Sequence, residues 1–190
     1  MLLLVGLGNP SPNNSNNRHN VGFIVIDSIN SKFKLSKQKP KFKGLLTTGQ
    51  IEEQKVFAIK PLTFMNNSGI CIREIIEYFK INVEDVIVFH DDLDVDFTKI
   101  KAKFGGSSAG HHGIESIDKF IGKDYSRVRI GIGHPKAKKK VNNHVLEDFK
   151  EDEEEKIKEI TENIVKLIPT LIEKKMDLFS SKVNQNLNGI

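Results

Sequence analysis

The chain has 190 residues, of which 38% are hydrophobic, so its length allows one domain with a substantial core and requires no second one. The single cysteine, Cys71, excludes an internal disulfide, and we expect it in the core. No apolar run is long enough to span a bilayer, and the first apolar stretch is too short for a signal peptide. We therefore expect a soluble, cytoplasmic protein. The net charge of +4 favours a polyanionic partner only weakly, although lysines are concentrated in three runs, 32–43, 99–103 and 136–140.

The first predicted elements are a strand and a helix with a histidine at their junction. The apolar run 2–5 predicts a strand, and the apolar spacing within 21–33 predicts a helix that begins just after His19. Because a helix N-terminus carries partial positive charge, we expect it to disfavour the imidazolium of His19 and to leave a ring nitrogen free to accept a proton. Asn9 follows the strand, where its amide can orient a substrate carbonyl or a water molecule.

Two simpler interpretations of this first stretch are open. Gly6-Leu7-Gly8 begins like a dinucleotide-binding fingerprint, but Ser11 occupies the place of the third glycine and two prolines interrupt the required helix start. Asn9 and His19 are also residue types that occur in turns and beside helix caps without a catalytic role. Only residues farther along the chain distinguish these interpretations from a catalytic site.

The central part of the chain predicts alternating strands and helices. After a basic connector, the predicted elements are a hairpin with strands at 44–50 and 56–60, a helix that starts near 66–68, a buried strand at 86–89, a half-exposed strand at 100–104, a glycine- and serine-rich segment at 105–113, a helix at 114–120 and a strand at 127–132. This alternation is typical of α/β proteins with helices packed on a mostly parallel sheet.

The C-terminal part predicts a long helix that covers the sheet. Acidic residues at 151–155 favour a helix start, and an apolar stripe continues to Met176 through Pro169, where we expect a kink. We expect the stripe to pack in the core and residues 184–190 to form a frayed tail. The predicted fold is one α/β domain over 1–190, with a twisted, mixed and largely parallel sheet covered by helices.

Polar residues follow three of the predicted strands. Asn9, Asn66 and Asp91 each come after a strand, and sites in open α/β sheets form outside the carboxyl ends of parallel strands. Asp91 beside His19 would set the imidazole tautomer and stabilise the imidazolium that forms when His19 takes a proton. Water is the expected nucleophile, because no serine or cysteine stands in a nucleophile-elbow pattern.

Six motifs, GLGNP, RHNVG, PLTFMNNSG, HDDLD, AGHHG and RVRIGIGHP, occur in an order and spacing that resemble bacterial-type peptidyl-tRNA hydrolase, from about Leu3 to the C-terminal helix. The resemblance implies a monomeric α/β hydrolase that needs no metal or other cofactor. It implies cleavage of the ester that joins a peptide to the 3′ end of tRNA, which recycles peptidyl-tRNA released from ribosomes.

The motifs also assign roles to residues by resemblance. His19 is implied as the catalytic base, Asp91 as the partner that stabilises its charge, and Asn9 as the residue that recognises the blocked peptide end. The residues implied in the substrate groove are Phe64, Met65 and Asn66, and those implied to meet the tRNA backbone are Lys103 and Arg129.

Two positions depart from the family pattern. Asn14 stands where the family usually has tyrosine near the tRNA end, and Gly110-His111-His112-Gly113 stands where it has glycine-histidine-asparagine-glycine. We expect Asn14, His111 and His112 to contact substrate. For His112 two interpretations are open: it accepts a hydrogen bond from the catalytic water or a substrate hydroxyl, or it points away and Gly113 or a water takes that role.

The same residue types are compatible with two other functions. A metallohydrolase has suitable residue types, but their spacings match no known ligand motif; these residues are His19, His90, Asp91, Asp92, His111 and His112. A non-catalytic RNA-binding module would use the basic runs, but neither an RNP strand nor a GXXG clamp is present in the sequence.

Overall fold

The computed structural model describes residues 1–10, 16–135 and 141–187, and within these ranges seven strands form one sheet. The strands are β1 (Leu2–Gly6), β2 (Lys39–Lys41), β3 (Gly44–Ile51), β4 (Gln54–Pro61), β5 (Val86–Asp92), β6 (Ile100–Phe104) and β7 (Ser126–Gly131). Their order is β2-β3-β4-β1-β5-β7-β6; the neighbours from β4 to β7 are parallel, and the outer pairs are antiparallel. The predicted α/β class with a mixed sheet and a parallel centre is confirmed.

Helices cover both faces of this sheet. They are α1 (Val21–Lys32), α2 (Ser68–Phe79), α3 (His112–Ile121), α4 (Val141–Leu146), α5 (Glu151–Lys166), α6 (Ile168–Ile172) and α7 (Met176–Asn186). None of the helices in the described ranges combines the length and the apolar character needed to cross a bilayer.

The alternation of side chains along β1 divides the core into two layers. Leu2 and Leu4 pack in a cluster with apolar residues of α1, α5, α6 and α7. Leu3 and Val5 point to the other face and pack with apolar residues of α2 and α3. Cys71 belongs to this second cluster and is fully buried, which confirms it as a core residue.

Two glycines bring the start of α1 against the ends of β1 and β5. A Cβ atom on Gly22 would lie 2.4 Å from the Leu7 nitrogen and 2.4 Å from the Phe89 oxygen, and one on Gly6 would lie 2.2 Å from the Gly22 oxygen. Since real side chains do not fit at such distances, only glycine allows this close approach. The residues just before α1 are therefore held directly above the carboxyl ends of the two central strands.

The C-terminal segment forms three helices instead of one kinked helix. In a continuous helix, the ring of Pro169 would clash with the carbonyl four residues earlier. The chain instead ends α5 at Lys166 and starts α6 at Ile168, so that Pro169 lies in a first turn, where its missing N–H is not needed. The apolar stripe is buried as expected, from Ile157 to Leu171.

The last helix covers the open edge of β6. The Asn184 side chain accepts a hydrogen bond from the Ile100 N–H and donates one to the Ile100 carbonyl, and the Ser180 hydroxyl accepts from the Ala102 N–H. Asn184 to Asn186, which we expected to fray, therefore belong to α7. Residues 188–190 lie outside the described residues.

Other differences from the predicted elements are small but matter for the site. β5 continues to Asp92, so His90, Asp91 and Asp92 are part of the strand and are buried. The sequence pattern predicted neither β2, within the basic connector, nor the short helix α4.

Candidate active site

A 3₁₀ turn, Arg18–Asn20, joins the incoming loop to α1 and contains three buried polar side chains. Because a 3₁₀ helix has three residues per turn, consecutive side chains point in three different directions. His19 points to β5, where its Nδ1 atom lies 2.8 Å from Oδ1 of Asp91. The two side chains meet because β1 and β5 are parallel neighbours that end at the same edge of the sheet.

A second imidazole binds the same carboxylate oxygen. The His111 Nδ1 atom accepts the N–H groups of Gly113 (3.1 Å) and Ile114 (3.3 Å) at the start of α3. A nitrogen that accepts these bonds carries no proton, so Nε2 of His111 carries it and donates to Asp91 Oδ1 at 3.0 Å. Both nitrogens of His111 have partners inside the protein, so the substrate contact expected for His111 finds no free ring nitrogen.

The two imidazoles keep Asp91 ionised despite its burial. Burial would raise the pKa of Asp91, but His19 and His111 together hold it well below its usual range. For His19, burial would lower the pKa, but the charge of Asp91 and the hydrogen bond to it raise the pKa above the usual value of 6.5. The expectation that the imidazolium of His19 would be disfavoured is not met, because the charge of Asp91 and the hydrogen bond to it together outweigh the effect of burial on the pKa. With Nδ1–H donated to Asp91, the unprotonated nitrogen of neutral His19 is Nε2.

Asn9 is held with its amide in a defined orientation. Asn20, the third residue of the turn, accepts from the Asn9 N–H at 2.7 Å and donates to the Asn9 carbonyl at 3.2 Å. The Asn9 side-chain oxygen accepts the Met65 N–H at 2.9 Å. Since a backbone N–H requires an oxygen acceptor, the Asn9 amide cannot be flipped, and its NH₂ group is left as a donor.

A groove extends from His19 past Asn9. We call it the amide groove; its volume is about 520 Å³, and it is lined by Asn9, His19, Phe64, Met65, Asn66, His112, Val145 and Leu146. Phe64 and Leu146 are 58% and 53% exposed, so this groove has large apolar groups at its surface. Phe64 has φ 60° and ψ 159°, a conformation that costs a non-glycine residue of the order of 1–3 kcal/mol and that occurs mainly at functional sites.

A second cavity, of about 240 Å³, lies on the other side of His19. We call it the acidic cavity, because Asp91, Asp92 and Asp94 line it together with residues 108–112. His19, His112 and Val145 line both the acidic cavity and the amide groove. The catalytic candidate His19 thus stands at the junction of two cavities of different chemical character.

Comparison with known proteins identifies the family of this chain. The family model described as peptidyl-tRNA hydrolase matches residues 3–189. This chain belongs to the peptidyl-tRNA hydrolase family. It is 73% identical over 184 residues to the peptidyl-tRNA hydrolase of Pelagibacter ubique (strain HTCC1062), an alignment that covers 97% of this chain and 99% of that protein. It is 44% identical over 185 residues to the one from Ehrlichia canis (strain Jake), covering 97% and 95%. The crystal structure of peptidyl-tRNA hydrolase from Acinetobacter baumannii at 1.00 Å resolution superposes with a TM-score of 0.90 at 32% identity, covering 97% of this chain and 94% of that chain.

The basic residues that the family resemblance implied lie on the β6–β7 pair. Lys103 pairs in register with Arg127, and Lys101 pairs with Arg129, so all four side chains leave the same face of the sheet. Arg127 is buried and donates to the Ser107 and Gly105 carbonyls, so the basic surface consists of Lys101, Lys103 and Arg129. The Arg129 Nε atom donates to Asp92 Oδ2 at 2.6 Å, and burial together with Arg129 and Arg127 lowers the pKa of Lys103. Asp92 therefore connects this basic surface to the acidic cavity.

The remaining expected contacts have different outcomes. Asn66 lines the amide groove, whereas Asn14 lies outside the described residues. The His112 side chain is 69% exposed, and its Nδ1 lies 3.2 Å from Glu115 Oε2. The His112 side chain lines the groove but is not buried in it. Whether it accepts a hydrogen bond from the catalytic water or substrate, or leaves that role to Gly113 or a water, stays a prediction.

A metal does not fit the donor set well. His19, Asp91 and His111 each offer one atom, all within 4.8 Å of one another, as two-histidine, one-carboxylate metal sites do. His111 can ligate through Nε2 only by losing the proton that it gives to Asp91, or through Nδ1 only by releasing the start of α3.

The buried His90 donates its Nδ1–H to the Asp91 carbonyl, and burial and His111 lower its pKa to about 3, so it is neutral.

Sequence reasoning missed Arg18, Asn20, Val145 and Leu146. Asn20 is inside a motif that we quoted for its histidine, and its contact with Asn9 spans eleven positions, too far for any helical or strand period to indicate. Val145 and Leu146 are apolar residues in a short helix, where no pattern distinguishes a groove wall from core.

Proposed function

We propose that this chain hydrolyses the ester between a peptide, or an N-blocked amino acid, and the 3′ end of tRNA. Family membership supports this reaction, and the observation that carries it is the His19–Asp91 pair at the junction of two cavities. An ester that lies across the junction would have its peptide part in the amide groove and its nucleotide part in the acidic cavity. The basic surface at Lys103 and Arg129, joined to that cavity by Asp92, would then meet the tRNA backbone.

The reaction needs one base and one water molecule. His19 Nε2 removes a proton from water, the oxygen attacks the ester carbonyl, and Asp91 stabilises the imidazolium that forms. The bond between the acyl carbon and the ribose oxygen then breaks, and that oxygen takes the proton from the His19 imidazolium, which returns His19 to its neutral form. Donors in the groove, the Asn9 and Asn66 amides, would orient the peptide carbonyl and stabilise the developing oxyanion.

In this mechanism His111 acts on Asp91 and not on substrate. Its Nε2–H donates to the carboxylate oxygen that also accepts from His19, so it holds the carboxylate in the plane that His19 needs. A carboxylate with two donors on one oxygen has little freedom to rotate. His111 is therefore a positioning residue in this proposal, a role that its N-cap geometry supports.

The amide groove also accounts for a preference for blocked substrates. Among the described residues that line it there is no carboxylate that could pair with a free α-ammonium group. An aminoacyl-tRNA would therefore place an unpaired charge beside amides and apolar side chains, which is costly. A peptide bond in the same place would find the Asn9 NH₂ donor.

We also propose that the enzyme recycles peptidyl-tRNA in the cytoplasm as a monomer. The sheet edges support the monomer: β2 is short and reads Lys-Pro-Lys, and β6 is covered by Asn184 and Ser180. Both devices prevent an edge strand from pairing with a second copy. Asn14 stays a predicted contact for the tRNA end.

Turnover of N-acetyl-aminoacyl-tRNA against the same aminoacyl-tRNA without the acetyl group tests the proposal. We expect the blocked substrate to react about 10- to 100-fold faster, from the 1–3 kcal/mol that an unpaired polar group costs. His19→Ala should remove turnover of both while tRNA affinity in a filter-binding assay stays. Tight tRNA binding by the wild-type protein without any turnover would instead identify an RNA-binding module.

A further inference from the structure

The 3₁₀ turn before α1 supports three parts of the site with three consecutive side chains. His19 binds Asp91 at the end of β5, and Asn20 binds Asn9 at the end of β1. Both partners belong to the mechanism described above. The third side chain, Arg18, points to neither strand, and the mechanism gives it no role.

Arg18 binds the segment that follows α4. Its Nη1 atom donates to the Asp148 carbonyl at 2.7 Å, and Nη2 donates to Glu153 Oε2 at 2.6 Å. The guanidinium also lies over the Phe149 ring, 5.1 Å from its centroid. With 3% of the residue exposed and both arms engaged, Arg18 is not available to a tRNA phosphate.

The backbone on both sides of Arg18 binds the same segment. The Arg18 N–H donates to the Glu147 carbonyl at 3.1 Å, and the Phe149 N–H donates to the Asn16 carbonyl at 3.1 Å. Asn17 and Asp148 form an antiparallel bridge between these bonds. The guanidinium thus locks a short pairing of two chain segments that are about 130 positions apart.

The segment held in this way forms part of the amide groove. We call residues 143–149 the wall segment; its Val145 and Leu146 line the groove, and Leu146 is exposed there. At the other end of the segment, His144 Nε2 donates to the carbonyls of Ile132 and Gly133. Between these two anchors, Val145 packs against the core cluster that contains α1 and α5, and Leu146 is 53% exposed.

We propose that Arg18 is a positioning residue that holds Val145 and Leu146 at the amide groove and so sets the affinity for the peptide part of the substrate. This inference rests on the proposed function. It differs from a direct role of Arg18 in catalysis, because the side chain reaches the groove only through the wall segment. It differs from a purely structural role, because its effect depends on what occupies the groove.

Two conservative variants test the proposal against matched controls. Arg18→Lys keeps the charge but loses the second arm and the ring contact, and Glu153→Gln removes the partner charge. Arg73→Lys and Glu77→Gln make the same changes in an exposed ion pair of α2, with Nε and Oε1 2.7 Å apart. Each variant is assayed with N-acetyl-leucyl-tRNA and N-acetyl-glycyl-tRNA, which differ in the apolar side chain that Val145 and Leu146 would contact.

For Arg18→Lys we expect KM for the leucyl substrate to rise about 3- to 10-fold, as for the loss of one hydrogen bond, with kcat within about twofold. KM for the glycyl substrate should rise less, and the acidic limb of the pH profile should not move, since the His19–Asp91 pair is unchanged. Glu153→Gln should act in the same direction, and both surface controls should match the wild type. Hydrogen exchange of residues 143–149 should become faster in Arg18→Lys and not in Arg73→Lys.

Three results would overturn the inference while leaving the proposed function intact. These are an unchanged KM in Arg18→Lys, an equal rise for the leucyl and glycyl substrates, and a shifted acidic limb, which would mean that Arg18 acts through His19. Absence of wild-type turnover with either substrate would overturn the proposed function itself. The same set of assays therefore distinguishes failure of the Arg18 inference from failure of the proposed function.

Discussion

His111 and His112 are neighbours at the start of one helix, and they belong to two different regions of the site. The His111 side chain is 10% exposed and bonds through both nitrogens, whereas that of His112 is 69% exposed and has one carboxylate near one nitrogen. Charge interactions are several times stronger in the low dielectric of the interior than at the surface. In the proposed mechanism we therefore expect the buried region around His111 to control the protonation of the reacting groups, and the exposed rim around His112 to contribute smaller energies to recognition.

The largest expected effect on kcat/KM comes from a substitution of Asp91, the carboxylate at the centre of the buried region. Asp91→Asn removes the charge that stabilises the His19 imidazolium and offers a neutral amide in its place. We expect kcat/KM to fall by about 10²- to 10⁴-fold, the contribution of an effective general base. Circular dichroism and tRNA affinity should match the wild type; near-normal turnover would exclude the His19–Asp91 mechanism.

His111→Asn separates the two bonds that His111 makes. Asparagine is a good N-cap, so its side-chain oxygen should still accept from the first turn of α3, but it is too short to reach Asp91. We expect a thermal midpoint close to that of the wild type and a kcat reduced about 10- to 100-fold, from the loss of a hydrogen bond to a charged group.

Serine at the same position is the control for the cap. His111→Ser keeps a capping oxygen with a different shape, so it should reduce kcat to a similar extent. Full activity in both variants would show that Asp91 needs only His19 for its orientation.

The basic surface should respond to salt. If Lys103 holds a tRNA phosphate, Lys103→Gln should raise KM for peptidyl-tRNA and reduce the slope of log KM against log salt by about 0.7–0.9. A minimal substrate without the tRNA body should show almost no change. Lys156→Gln, an exposed lysine of α5 on the opposite face of the sheet, is the matched control. Equal slopes in the Lys103 and Lys156 variants would remove Lys103 from the interface.

The smallest effect on turnover is expected from substitution of the exposed His112. His19 must be neutral to act as a base, and its pKa is raised, so wild-type kcat/KM should decrease as the pH falls through a midpoint above 6.5. His112→Asn should keep this limb and most of the turnover. If His112 accepts a hydrogen bond from water or substrate, its protonation adds a second acidic limb, and the asparagine variant should lose that limb. A large loss of kcat in a folded His112→Asn protein would show that His112 takes part in catalysis together with His19 and Asp91.

How much of the site the sequence predicted depends on how local each signal is. The strand that precedes Asn9, the strand that carries Asp91 and the helix that follows His19 were predictable because apolar period and breaker residues act over a few positions. At Pro169 the expected kink is a break between two helices. Asn184 belongs to a helix because packing against β6 outweighs the tendency of a chain end to fray.

The sequence by itself determined the α/β class, the buried strands and the motifs that place His19, Asn9 and Asp91 at one edge of the sheet. Only the tertiary structure decided which atoms meet. Bonds between His19 and Asp91, 72 positions apart, and between Arg18 and Glu153, 135 positions apart, leave no periodic trace in the chain. The same holds for the pKa of His19, which is raised because a carboxylate 2.8 Å away outweighs the effect of burial.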